Sequence, residues 1–268
     1  AEVLAYWRHY TAIDDAGWAD FYLERTGIFD PRFVPHDLFY AEIDRVLNPP
    51  YRGCGLDDKL LYDRLFPGVK QPEKLVWKAG GSLWTGGWTP IVEKTALDIC
   101  AEAGEVVCKI PIFGCGGYGV MVLDTRTGVQ TIQDLLRSQD EVLVQAVVHQ
   151  HPNMAVFHTG SVNTLRIISY LRENGEAVNL STVLRMGAGK SRVDNISSGG
   201  CSCGILPDGA LRATGCSSDN RVISAHPDGP SFIGWHVPSY EQAISQILSL
   251  HRTLPQFSIL ACDIAIDE

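Results

Sequence analysis

The sequence predicts an α+β protein in which helices come first, mixed elements follow and strands dominate the second half. Residues 1–48 carry apolar side chains at helical spacing, with Trp7, Tyr10, Trp18 and Phe21 followed by Leu38, Phe39, Ile43, Val46 and Leu47 after the breaker Pro35. Short β-branched apolar runs such as VMVLD at 120–124 fill much of the chain after residue 105, and Asn174-Gly175 between two alternating runs is a hairpin signal. The 268 residues, 45% hydrophobic and 20% charged, suffice to bury a sizeable core in one large domain or two coupled lobes.

Each element follows from local chemistry. Residues 1–48 read as a helical cap. In DDKLLYDRLF, Asp57 reads as an N-cap, Leu60, Leu61 and Leu65 share a face, and Pro67-Gly68 ends the helix. Thr89-Pro90, a cap followed by a first-turn proline, starts a helix that runs to Gly104. Two strands then flank a glycine-rich turn, and the second stops at Asp124 before a Thr-Gly turn. A short helix is predicted near Thr131 to Arg137. A longer one runs from Ser239 to about His251, with Ile244, Ile247, Leu248 and His251 at core spacing. There is no internal repeat and no low-complexity linker.

The net charge of −9, with no cluster of Lys and Arg, argues against a general nucleic-acid binder, while a few placed cations still suffice to bind ATP. No run of about eighteen apolar residues offers a membrane span, and the first twenty positions carry Trp, Asp, Arg and His where a secretory leader needs an apolar stretch. A soluble, cytoplasmic chain is expected. The eight cysteines are scattered, several inside apolar runs, and read as buried free thiols and not as a disulfide framework. Cys201-Ser-Cys203 lacks the spacing and the partner pair of a zinc site. The chain opens on Ala1 and is expected to be a processed or trimmed piece.

The stretch VVCKIPIFGCGGYGV at 106–120 contains a literal G-x-G-x-x-G in Gly114, Gly116 and Gly119. A dinucleotide fingerprint requires a helix after the glycines, and here VMVLD continues as a strand. No Gly-Lys-Ser/Thr follows either, which excludes a Walker A loop. What remains is a glycine-rich hairpin able to fold its N–H groups over phosphates, with Lys109 on the incoming strand adding a point charge. The competing reading is a surface hairpin whose lysine points to solvent. Four glycines in six residues, each costly in folding entropy, favour a use for the loop.

A two-residue turn at Asn174-Gly175 sets Glu173 opposite Glu176, Arg166 opposite Val183 and Arg185 opposite Thr164. The two arginines are then diagonal neighbours on one face, with no carboxylate opposite either within the hairpin. Side by side they repel unless an anion joins them, which points to a site for phosphate or a substrate carboxylate. The competing reading is that both reach acidic side chains elsewhere in the fold. Asp194-Asn195 and Ser197-Ser198-Gly199-Gly200 then make a polar loop of the kind that lines sites.

In order, DDKLLYDRLF, VVCKIPIFGCGGYGV, EVLVQAVVHQHPNM, SVNTLRI, LRMGAGKSRVDNISSGG, HPDG and CDIAIDE resemble the ATP-grasp superfamily, and specifically the sugar-transfer-associated ATP-grasp family, from about residue 28 onward. The resemblance implies an ATP-grasp fold, two α+β lobes with antiparallel sheets clasping ATP. Residues 1–58 would be a helical N-terminal segment, 59–140 the small lobe with the glycine hairpin as a lid, and 141–268 the large lobe. By the same resemblance, Lys59 and Lys109 contact ATP phosphates and Gly114, Gly116, Gly117 and Gly119 cover them. Gln145 to Val148 form the hinge strand that reads adenine through backbone groups, and His151 or its neighbour lies near the ribose. Arg166, Arg185 and Asn195 surround the reacting phosphoryl group, and Asp263 is the first acidic ligand for Mg2+. The E-x-N that supplies the remaining magnesium ligands in the superfamily would lie beyond Glu268, so the large lobe is expected to lack its last strand. Cys-Lys-Ile-Pro also departs from the Lys-Pro usual in relatives.

The implied chemistry is ATP-dependent joining of a carboxylate acceptor to an amine donor through an acyl phosphate, with no covalent enzyme nucleophile. The family label associates this with cell-surface polysaccharide, for example a sugar acid as acceptor. Two alternatives stand beside it: a phosphotransferase acting on a hydroxyl, and a non-catalytic nucleotide-binding module.

Overall fold

Helices build the first compact unit of the computed structural model, Ala1–Gly53; a second unit spans Cys54–Glu268. The structure describes residues 1–53, 55–112, 114 and 117–268. In the first unit α1 (Glu2–Trp7) and α2 (Gly17–Thr26) bury Val3, Trp7 and Ala19 together, and the Trp7 indole N–H donates to the Pro31 carbonyl at 2.9 Å. After Pro35 come α3 (His36–Leu38), a π turn (Phe39–Ile43), α4 (Asp44–Leu47) and α5 (Pro50–Gly53). Tyr10 and Phe21, expected on the apolar face, are 70% and 49% exposed. Tyr10 lies beyond the end of α1, and Phe21 sits roughly 200° round α2 from buried Ala19.

In the second unit the helix expected over DDKLLYDRLF shrinks to α6 (Tyr62–Leu65). Asp58, not Asp57, accepts the turn-forming bond, from the Leu60 N–H at 2.9 Å. The Leu60 carbonyl, which a helix would have used, is taken by the Lys74 ammonium at 2.7 Å, and the Lys59 N–H bonds the Pro111 carbonyl at 3.1 Å. Leu60 is buried, while Leu65 is exposed.

The first sheet joins β1 (Lys74–Ala79), β2 (Ser82–Thr85), β3 (Pro90–Ile91), β4 (Glu105–Lys109), β5 (Met121–Asp124) and β6 (Val142–Ala146) in the order β3-β2-β1-β6-β4-β5. All its pairings are antiparallel. Val76, Val106, Cys108, Val142 and Val144 pack with α7 (Glu93–Ala103) and α8 (Thr125–Ser138), while Trp77 and Leu143, one residue out of phase, pack with Leu60 on the other face. The helix predicted from Thr89-Pro90 starts at Glu93, because Pro90 and Ile91 pair with β2 as an edge strand, where a missing N–H is tolerated. α8 begins six residues before Thr131 and absorbs the expected Thr127-Gly128 turn, because Asp124 caps it by accepting from the Arg126 N–H at 2.9 Å.

After the short α9 (Pro152–Ala155), the second sheet comprises β7 (Thr164–Leu171), β8 (Ala177–Met186), β9 (Cys201–Ile205), β10 (Leu211–Ser217), β11 (Val222–Ile223) and β12 (Ile259–Ala265), ordered β11-β10-β9-β8-β7-β12. It too is antiparallel throughout. One face buries Leu165, Ile167, Leu184 and Met186 with Ala243 and Ile247 of α10 (Tyr240–Arg252). On that helix buried His251 accepts from the Ser169 hydroxyl at 2.7 Å through Nδ1 and donates to the Phe257 carbonyl at 3.0 Å through Nε2. Burial pushes His251 below its ordinary pKa.

The β7–β8 pairing reaches the predicted register by an unpredicted route. The turn is a three-residue loop closed by Arg172 and Glu176, with Gly175 at φ +81°, so Glu173 does not face Glu176. This offsets the pairing by one residue. A bulge between Ile168 and Ser169, where Leu180 is the extra residue, restores it, and Arg166 faces Val183 and Arg185 faces Thr164.

Cys100, Cys108, Cys201, Cys203, Cys216 and Cys262 are free thiols. Burial pushes Cys100 and Cys203 up to about 11 and Cys108 and Cys201 up to about 12, which suits packing and not reactivity. No helix among the described residues is long and apolar enough to cross a membrane.

Candidate functional site

Alternation along the second sheet determines what faces away from α10. With Leu165, Ile167 and Leu184 turned into the core, Thr164, Arg166, Val183 and Arg185 must point to the other side. β12 adds Asp263 directly opposite Arg166. The Asp263 carboxylate accepts two bonds from Arg166, both 2.6 Å, and one from Arg185 at 2.9 Å. The carboxylate absent from the hairpin therefore comes from the neighbouring strand. Arg185 also lies 3.5 Å from Asp194, which accepts from the Thr164 hydroxyl. Burial alone would raise the Asp263 carboxyl, but the Arg166 hydrogen bonds and the Arg185 and Arg166 charges outweigh it and hold the pKa below the usual range.

The glycine hairpin belongs to the first sheet. Lys109 ends β4, and the Lys59 ammonium reaches across to donate to the Pro111 and Gly114 carbonyls at 3.3 and 3.2 Å. Lys109 forms no ion pair among the described residues. Burial first, and the nearby Lys59 charge second, lower its pKa to about 8. Gly117 and Gly119 take φ of +77° and +71° in the turn, and Gly116 lies outside the described residues. A Cβ on Gly117 would come within 2.9 Å of Val193, so the hairpin rests closely on the loop that leaves the arginine strand. A second tie joins the same regions: the Arg192 guanidinium bonds Glu105 of β4 at 3.0 Å. Tyr62, in the segment that carries Lys59, is pushed up mainly by burial.

The remaining expected residues are more dispersed. Gln145 lies inside β6, buried, with its amide on the Pro72 carbonyl at 3.2 Å and its backbone within pairs to Lys74 and Val107. The open stretch begins later: among the described residues, Val147, Val148 and His149 make no backbone hydrogen bonds. His151 accepts from the Asn153 N–H at 3.1 Å and caps α9. Asn195 is half-buried beside Asp194; its carbonyl takes the Ser198 and Gly200 N–H groups at 3.0 and 3.2 Å, and its amide makes no bond among the described residues.

Sequence reading placed Asp194 in a site-lining loop without its partner and missed the participation of Val193 and Arg192, because only folding brings these residues to Arg185, Gly117 and Glu105. It also left HPDG without a role. His226 donates through Nε2 to the Gly187 carbonyl at 2.7 Å, and its Nδ1 accepts from the Asp228 N–H at 3.1 Å. The Asp228 carboxylate takes the Gly189 N–H, and His158 lies 3.0 Å from the Ser191 carbonyl. The start of the 187–200 loop is thus pinned at three points.

Residues 39–268 match the family described as sugar-transfer associated ATP-grasp. The chain belongs to that family. The two six-stranded antiparallel sheets are accordingly the lobes of an ATP-grasp fold. Among solved structures, this ATP-grasp chain is similar to the biotin carboxylase domain of Hydrogenobacter thermophilus 2-oxoglutarate carboxylase, at 13% identity and TM-score 0.45 over 80% of this chain and 37% of that one. It is also similar to N5-carboxyaminoimidazole synthetase from Staphylococcus aureus, at 9% identity and TM-score 0.44 over 80% of this chain and 41% of that one. D-alanyl-alanine synthetase A from Vibrio cholerae O1 follows at 12% identity and TM-score 0.43, over 78% and 50%. The chain thus spans half or less of the length of these structures. Comparison with curated proteins gives no match.

Proposed function

We propose that this ATP-grasp chain catalyses ATP-dependent joining of a carboxylate to an amine, with a sugar acid of a cell-surface polysaccharide or its precursor as acceptor. The observation that carries the nucleotide part is Lys109. A half-buried, partly desolvated ammonium with no carboxylate partner among the described residues is costly, and a triphosphate beneath the glycine hairpin would relieve that cost. Lys59 would hold the hairpin in place through its carbonyls and add a second charge, while Gly114, Gly116, Gly117 and Gly119 cover the phosphates. The unpaired backbone at Val148 would read the adenine edge, with Gln145 fixing the strand before it and His151 near the ribose.

On the facing lobe, the acceptor carboxylate oxygen would attack the γ-phosphorus as the bond to ADP breaks. Arg166 and Arg185 would spread the charge of the transferring group, with Asn195 donating from the loop. The amine nitrogen would then attack the acyl carbon, phosphate would leave and the amine proton would pass to solvent. Asp263 is a hard oxygen donor, and among the described residues no three His, Cys, Asp or Glu side chains gather to form a closed metal cage. That donor set fits Mg2+, which takes one or two carboxylates and completes its shell with phosphate oxygens and water. When bound, the ion supplies neutralisation of phosphate charge. The free thiols among the described residues suit a reducing cytoplasm.

The test incubates full-length protein with ATP, magnesium and pooled sugar acids and amino acids, and identifies products by mass. ADP release that requires both carboxylate and amine, with hydroxylamine trapping a hydroxamate, is expected. A stable phosphorylated product formed without amine, or ATP binding without turnover, would overturn the ligase reading.

A further inference from the structure

The loop that carries Asp194 and Asn195 to the arginines does a second thing at its ends. Ala188, Gly189, Gly199 and Gly200 form one wall of a cavity of about 340 Å³, lined on another side by Ser217, Ser218, Asp219 and Arg221. A second cavity, also about 340 Å³, is lined by the 155–160 segment, and the two meet at Gly189 and Asp228. Together they make a trench along the 187–200 loop.

Its chemistry is specific. Asp228 is held in place from behind, with one oxygen on the Gly189 N–H and its own N–H on the buried His226 ring. Its second carboxylate oxygen makes no bond among the described residues. Nor do the hydroxyls of Thr159 and Ser218, or the Thr159 and Gly160 backbone. Arg221 is fixed by its Nε on Asp219, and its two terminal nitrogens make no bond among the described residues. Between these groups lie small apolar surfaces from Ala188, Pro227 and Val156. A fixed carboxylate and hydroxyls that accept and donate around short apolar faces suit a pyranose, whose rim is hydroxyl and whose faces are C–H. The open guanidinium adds a place for a negative charge.

The trench also leads to the proposed chemistry. The Gly200 N–H in its wall bonds the Asn195 carbonyl at 3.2 Å, so the trench borders the same loop that carries Asn195 and, beside it, Asp194, which reaches Arg185. We propose that this trench is the acceptor subsite and that it binds an acidic saccharide of two or more sugar units. One unit lies against Asp228 with its carboxylate toward Asn195, and a neighbouring acidic unit reaches Arg221. The inference rests on the ligase reading and names its acceptor.

The experiment titrates 15N-labelled protein, without nucleotide, with a galacturonic acid disaccharide, with maltose and with glutamate; ATP is titrated separately. The acidic disaccharide is expected to shift the amides of Thr159, Gly189, Ser218 and Asp228, maltose more weakly and glutamate not at all. Asp228→Asn keeps an acceptor for the Gly189 N–H, and Arg221→Gln keeps much of the side chain; each should weaken disaccharide binding about fivefold or more and leave ATP binding unchanged. Shifts confined to other residues, no shifts, equal binding of glutamate, or unchanged affinity in both variants would overturn the subsite. Failure of ATP to bind alongside normal disaccharide binding would sink the ligase reading and leave the saccharide trench standing.

Discussion

The two lobes hold their cations in opposite ways. On the first sheet Lys109 is desolvated, faces another lysine and has no carboxylate among the described residues. On the second sheet Arg166 and Arg185 converge on one carboxylate, Asp263, and Arg185 reaches Asp194 as well. One lobe presents an uncompensated charge to an incoming anion; the other keeps its charge compensated until something displaces or shares the aspartate. A lysine can be left alone because its pKa falls under burial, whereas guanidinium stays charged and needs a partner. The proposed roles, anion capture by Lys109 and charge delivery by the arginines, are thus separable, and variants should separate them.

The largest effect is expected from Arg185→Lys, which loses the planar fork that joins Asp263 and Asp194; turnover should fall roughly 100-fold, read by product formation at saturating ATP. If turnover is unaffected, the arginine cluster is structural only. Next, Asp263→Asn leaves two guanidinium groups short of a counter-charge. Because the carboxylate is 40% exposed, the loss should be about 1–3 kcal/mol in urea unfolding, between surface and fully buried pairs. Lys109→Met should do the reverse, weakening ATP binding about tenfold by calorimetry while stability holds or rises. Stability loss with unchanged ATP affinity would collapse the contrast between the lobes.

A smaller effect separates the hairpin from both. Gly117→Ala meets Val193 and an unfavourable φ of +77°, and should cost about 1–2 kcal/mol, with faster proteolysis at the hairpin than in the native chain. The smallest is a pH effect. The Lys109 pKa is lowered to about 8 without nucleotide and would rise once phosphate binds, so ATP affinity should be level below pH 8 and decline as pH climbs through it. Lys109→Met should abolish that decline. In folding, the lowered His251 pKa has its own sign: its contribution is full above the ordinary value of 6.5 and is lost as pH falls toward the depressed one, visible as a falling melting temperature that a His251→Gln variant lacks.

Much of the fold was legible because it rests on local chemistry. The glycine hairpin between β4 and β5, the C-terminal ends of α7 and α10, and the arginine register are all readable from neighbouring residues. The register shows the limit even there: the turn adds one residue and the bulge at Leu180 cancels it, so the right pairing came from an incorrect turn. The α6 segment fell short of its expected length because Lys74, distant in sequence, takes the Leu60 carbonyl a helix would have used.

By itself the sequence determined the α+β class, the hairpin where a dinucleotide fold would need a helix, and the shared face of Arg166 and Arg185, since period-two alternation and glycine conformations are encoded within a few residues. Only the tertiary structure decided who neutralises whom. Asp263 lies 97 residues from Arg166, and pairing β12 with β7 puts them opposite each other. The same holds for the hairpin resting on Val193 and for His226 and Asp228 pinning the loop, because burial and ion pairing act through space, at contacts no spacing along the chain records.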